Sequence, residues 1–148
     1  MRLIFLGLCL LTATRLIGAT ATDIGAAVGQ RYEQAEAAQV GALAGVDGWY
    51  FLAAELRSYS RGPFWGADAA KASRAAKDQD PLAVIVAFDR MVKAAGIALI
   101  VVPVPGKVAI HPDGLDPALK SGERWDGAQA AFNAALTKEG VQVIDLVP

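Results

Sequence analysis

The sequence predicts an α/β fold, a sheet of parallel strands with flanking helices. Three observations carry this. An amphipathic helix pattern from Pro81 runs directly into the nearly unbroken apolar stretch IALIVVPV at 97–104. A second amphipathic pattern with Trp125, Phe132 and Leu136 runs into VQVIDLV at 141–147. Strand, helix, strand in that order is a βαβ unit, whose crossover is right-handed with few exceptions.

The elements follow in chain order. Met1-Arg2, the apolar run from Leu3 to Ala13, and the small-x-small site Ala19-Thr20-Ala21 make the three parts of a secretory signal peptide. The run is shorter than the roughly 20 apolar residues of a membrane span. The domain expectation is therefore 1–21 signal and 22–148 one exported domain, with a periplasmic location. Cleavage after Ala21 removes Arg2 and Arg15, so the basic count falls from 14 to 12 against 15 acids, a net charge of −3. That balance disfavours nucleic acid or an anionic membrane surface as partner. Cys9, the single cysteine, lies within the signal. The mature chain is expected to lack a disulfide, a thiolate nucleophile and any Cys-based metal site.

An Ala-rich pattern predicts a helix over 24–43, ended by Gly41 and Gly45. Val46-Asp47-Gly48 reads as a turn, and the aromatics from Trp49 to Leu52 as a short strand. Residues 58–66 read as a loop and 67–77 as a weak helix. Asp80 and Pro81 are an N-cap and a first-turn proline, and Gly96 is the stop. The 97–104 strand is expected to be covered on both faces, with Pro103 and Pro105 ending it. Residues 106–123 read as a loop. Gly140 closes the next helix.

The search for chemistry is mostly negative. Ser58, Ser60, Ser73 and Ser121 sit in no nucleophile motif and directly follow no predicted strand. His111, the only histidine, has Asp113 two residues on and follows a strand's C-terminal end. No nucleophile is near it in the pattern, so a turn role is the stronger reading. The tripeptide His111-Pro112-Asp113 is not read as a J-domain motif, because it follows a buried strand rather than a helix. Pro105-Gly106-Lys107 fails as a P-loop because Val108 replaces the Ser/Thr. Lys107 and His111 remain weak candidates for substrate binding. Carboxylates form no ligand-spaced cluster, so no metal and no cofactor is expected. Glu55 and Arg57 read as a pair holding the loop against the sheet.

One segment is more specific than a core pattern. Residues 45–66, GVDGWYFLAAELRSYSRGPFWG, hold two of three tryptophans, two of three tyrosines and two of five phenylalanines. With DPLAVIVAFDRMVKAAGIALIVVPVPGK at 80–107 and the closing VQVIDLVP, the chain resembles the alginate O-acetyltransferase family of AlgJ/AlgX type. The resemblance implies an SGNH-hydrolase-like domain in an exported protein that acetylates hydroxyls of a secreted polysaccharide. It implies a serine that accepts acetyl, a histidine base and an orienting aspartate. It also implies an acetyl donor or a membrane acetyl-transfer partner. The family's Asp-x-His-Trp motif and its serine match nothing here, so no catalytic residue is carried onto this sequence. The expectation is an incomplete sheet, an N-terminal portion truncated before the triad and inactive alone in acetyl transfer. The alternative is a non-catalytic exported module that binds polysaccharide or an assembly partner. On that alternative Trp49, Trp65 and Trp125 are stacking candidates, with core packing the stronger reading for at least two of them. A generic exported binding domain is the third reading. Its last strand would leave Val141, Val143, Ile144 and Val147 on an uncovered edge.

Overall fold

The computed structural model describes residues 18–66, 80–120 and 122–147. The expected signal segment up to residue 17 and the weak helix at 67–77 lie outside them.

Helix α1 spans Ala21–Ala37 and opens on a capping box between Thr20 and Asp23. Ile24, Val28, Tyr32 and Ala35 recur at spacings of three and four and are its buried stripe. The helix stops before the expected glycines: Gln39 takes a positive φ of 53°, and the chain turns out. Residues 42 and 43, expected as the end of the helix, belong instead to strand β1 (Ala42–Ala44), which pairs antiparallel with β2 (Tyr50–Leu52). The reason is the turn between them. Asp47 and Gly48 have φ of 50° and 80°, and the Trp49 N–H donates to the Val46 carbonyl at 2.9 Å. An Asp-Gly pair with positive φ at both positions is a preferred hairpin turn.

Helix α2 (Ala53–Ser60) follows β2 without a linker and buries Leu56, so residues 58–60 are helical rather than loop. Helix α3 (Pro81–Ala94) starts as expected: the Asp80 side chain accepts from the Leu82 N–H at 2.9 Å. Gly96, at φ 75°, ends it. Strand β3 (Ile100–Val101) pairs parallel with β4 (Gln142–Val143), in the register Ile100↔Gln142 and Val101↔Val143. Helix α6 (Gly127–Lys138) is the crossover between them. The expected βαβ unit is therefore present, as a two-stranded parallel sheet.

Two expectations about that sheet need correction. The first strand pair is antiparallel and forms a separate sheet, so the described strands do not make one parallel sheet. The 97–104 run is also not covered on both faces. Val101 packs inward, but Ile100, Val102 and Val104 are exposed, the last at 84%, as are Ile144 and Leu146 just past β4. Pairing extends only to the Ile144 N–H on the Val101 carbonyl, because Pro103 offers no donor beyond it. The expected loop at 106–123 contains three short helical pieces: α4 (Lys107–Ile110), α5 (Pro112–Leu115) and a 3-10 turn at Pro117–Leu119.

Two apolar clusters hold these parts. The first joins Ile24, Val28 and Tyr32 of α1 to Phe51, Leu56, Val108, Leu115, Leu119 and Trp125. Burying a side chain such as Phe51 or Leu56 stabilises by about 1.5–3 kcal/mol. The second joins Val86 of α3 to Phe132, Leu136 and Val141, with Phe64 and Trp65 packed against it. Among the described residues no helix is long and apolar enough to cross a membrane.

Candidate functional site

Helix α2, the 104–106 segment and the start of α6 enclose a groove of about 520 Å³. Its walls include Glu55, Ser58, Tyr59 and Ser60 from α2, and Trp125 and Asp126 opposite. Two hydrogen bonds tie α2 to the segment after β3. The Gly106 N–H donates to the Tyr59 hydroxyl oxygen at 2.7 Å, and the Val108 N–H donates to Glu55 Oε1 at 2.6 Å. Gly106 sits so close that an added Cβ would lie 2.6 Å from the Tyr59 ring. Burial pushes the Tyr59 phenol up and the nearby Asp126 and Glu55 charges add to this, while the Gly106 N–H acts against it. The Tyr59 ring also packs on Trp125, centroids 5.5 Å apart.

Behind the groove lies a charged cluster. The Asp126 side chain is fully buried and takes two hydrogen bonds from the Arg124 guanidinium, Nε at 2.5 Å and Nη2 at 2.9 Å. The same guanidinium reaches Asp145 Oδ2 at 2.9 Å, just past β4. Asn133 Nδ2 donates to that oxygen at 2.9 Å, and Gln129 donates to Asn133. Burial pushes the Asp145 carboxyl up, but hydrogen bonds from Arg124, Asn133 and the Val147 N–H outweigh it and hold the group below its ordinary value. One guanidinium bridges the two carboxylates and fixes the start of α6 against the end of β4. Among the described residues no three His, Cys, Asp or Glu side chains gather to hold a metal.

The residues singled out from sequence fall in two places. Ser58 and Ser60 line the groove, but the Ser60 hydroxyl donates to the Arg57 carbonyl at 3.0 Å, an ordinary intrahelical bond. Ser73 and Ser121 lie outside the described residues. His111 is absent from the groove's lining. Its ring packs on Trp49, centroids 4.9 Å apart, and its side chain makes no hydrogen bond to Asp113. Among the described residues, the groove therefore brings no histidine to its serines. Lys107 stands with His111: its Nζ lies 5.6 Å from the Trp49 centroid and donates to the Tyr50 carbonyl at 2.7 Å. The structural reading of Glu55 is supported in an altered form, since its carboxylate holds the backbone at Val108. Trp125 and Trp65 pack into the two clusters, as expected for at least two tryptophans.

Sequence reasoning missed Tyr59, Arg124, Asp126 and Asp145. The available signal was an acid standing inside the apolar run VIDLV, with Arg124 and Asp126 two residues apart ahead of the preceding helix.

The described residues form a mixed helix and strand domain with a two-stranded parallel sheet beside an antiparallel hairpin. The family model described as "SGNH hydrolase-like domain, acetyltransferase AlgX" matches residues 42–148, and the chain belongs to that family. Neither a search of curated proteins nor one of solved structures finds a match. Membership gives the chain an acetyltransferase-like role.

Proposed function

We propose that this chain is the scaffold portion of an exported, periplasmic acetyltransferase that modifies hydroxyls of an alginate-type polysaccharide, and that its own side chains do not carry the acetyl group. The observation behind the reading is the family match over 42–148. It is joined to a groove whose serines have no histidine beside them. Acyl transfer by this route needs a nucleophile within hydrogen-bond reach of a base, and an oriented base. Ser58, Ser60 and His111 do not meet that requirement in the described arrangement. An acetyl donor, or a membrane partner that delivers acetyl, belongs to the same proposal.

The test is acetyl release from p-nitrophenyl acetate by the purified chain, against buffer and against His111→Ala. The expected result is a rate equal to buffer for both proteins. Turnover that falls on His111→Ala overturns the reading.

The alternative, a non-catalytic module that binds polysaccharide, is favoured by one specific observation: Trp49, Tyr50, Lys107 and His111 meet at the surface.

A further inference from the structure

The parallel sheet is covered on one side only. Leu99, Val101 and Val143 pack against Val86 of α3 and against Phe132 and Leu136 of α6, so both helices lie on that side. Alternation along a strand turns the residues between them the other way. Ile100, Val102 and Val104 are 53%, 44% and 84% exposed, and Ile144 and Leu146 are each 49% exposed. The register Val101↔Val143, with the Ile144 N–H donating to the Val101 carbonyl at 2.9 Å, sets the two runs side by side. Val104, at the end of its run, also borders the groove.

Strands of a parallel sheet are ordinarily buried on both faces, because crossover helices cover both. Here α3 and α6 share one face and leave the other to solvent. Five aliphatic side chains, each about half exposed or more, amount to about 450 Å² of apolar surface. That is the size at which a patch marks an interaction site rather than scattered surface residues.

The chemistry of this face suits a second copy of itself. It bears no charged side chain. Its polar position is Gln142, opposite Ile100 at the end of the patch, where an amide stays at the rim. Apposing two identical faces therefore brings no like charges together. A lipid surface fits less well, since the face has neither the Trp or Tyr nor the Lys or Arg that anchor a protein at a bilayer interface. Two sheets of the same twist stack at about 30° to each other with their inner side chains interdigitated. Such a pair buries about 900 Å² of apolar area, and the rim around it takes the total past the roughly 1,000 Å² of a specific interface.

We infer that the chain pairs with a second copy of itself through this face, in a two-fold contact with Val102 and Ile144 at its centre. A patch at the lower limit of interface size gives a reversible dimer rather than an obligate one. The contact uses no step of acetyl transfer, so it stands or falls apart from the function proposed above.

The test is sedimentation equilibrium of the intact 148-residue chain over about 1–100 µM. The expected result is an average mass that rises from 15.4 kDa toward twice that value and stops there. Ile100→Lys and Ile144→Lys, both at exposed positions, are expected to weaken the dimer at least tenfold, because each puts two like charges into the contact, one from each copy. Val84→Lys is the control. It lies at an exposed apolar position of α3, on the covered side of the sheet, and is expected to leave the dimer unchanged. Each variant is checked for an unchanged thermal melting curve. A chain that stays monomeric at about 100 µM overturns the inference. So does a dimer that the folded Ile100→Lys and Ile144→Lys variants retain at full strength, or one that Val84→Lys weakens equally. Mass that grows past the dimer overturns the closed two-fold contact.

Discussion

Replacing Arg124 by methionine removes the one cation that two carboxylates share. Methionine keeps much of the side-chain length and apolar stem, so the change isolates the guanidinium. Asp126 has a fully buried side chain, and among the described residues the side-chain hydrogen bonds to it come from Arg124. Asp145 loses one of its partners but keeps Asn133 and the Val147 N–H. Charge-assisted hydrogen bonds contribute about 1.5–3 kcal/mol each, and stranding one partner of a buried pair costs about 3–5 kcal/mol. Arg124 is itself 28% exposed, so water partly replaces the guanidinium. That places the loss near the lower end, about 3 kcal/mol, or a fall in Tm of roughly 10 °C for a domain of this size. Arg124→Lys keeps the charge but not the two-pronged geometry, and an intermediate loss of about half that is expected. Urea unfolding followed by far-UV circular dichroism measures both. A loss below about 1 kcal/mol for Arg124→Met, or a lysine variant as stable as the parent, would refute the claim that the fork holds α6 to β4.

Three further outcomes follow from the same geometry. Gly45→Ala places a Cβ 2.1 Å from the Gly114 carbonyl oxygen and 2.9 Å from the Phe51 ring, so hairpin and α5 must part; urea unfolding should show a loss of about 3 kcal/mol or more. The Asp145 carboxyl is held below its ordinary value, so its contribution is complete above about pH 4 and lost as pH falls through the folded value; Asp145→Asn should flatten the acid limb of a stability-versus-pH curve. The Tyr59 phenol is raised, so its contribution is complete below about pH 10 and lost as pH rises through the folded value; ultraviolet titration should show one tyrosine ionising late, and Tyr59→Phe should remove that step.

How much of this was legible in the sequence depended on how local the cause was. Helix α3 was readable at both ends, because Asp80, Pro81 and Gly96 act on the residues beside them. The parallel pairing of β3 and β4 was readable from two apolar runs flanking a helix. Strand β1 was not, because Ala42-Leu43-Ala44 has helical propensity and is made a strand by the Asp47-Gly48 turn and its partner Phe51. The full extent of the 97–104 strand was overestimated for a related reason. Hydropathy records apolar residues, but it does not record whether another layer packs on them, and here Ile100, Val102 and Val104 stay exposed.

The site residues divide the same way. Lys107 and His111 were named from sequence as weak binding candidates, and the structure places both against Trp49. Their convergence on the hairpin could not be read, since it depends on contacts about 60 residues apart. The Arg124–Asp126 pair is local, yet its burial is set by Asp145 and Asn133 arriving from α6 and β4. Sequence spacing carries no trace of that.

The central proposal is that the chain has the family's scaffold and that its own side chains do not carry the acetyl group. Acetyl release from p-nitrophenyl acetate, measured on the folded chain and on His111→Ala side by side, tests it most directly. The account predicts two rates indistinguishable from buffer. A burst of nitrophenol, or steady turnover that His111→Ala abolishes, would contradict it.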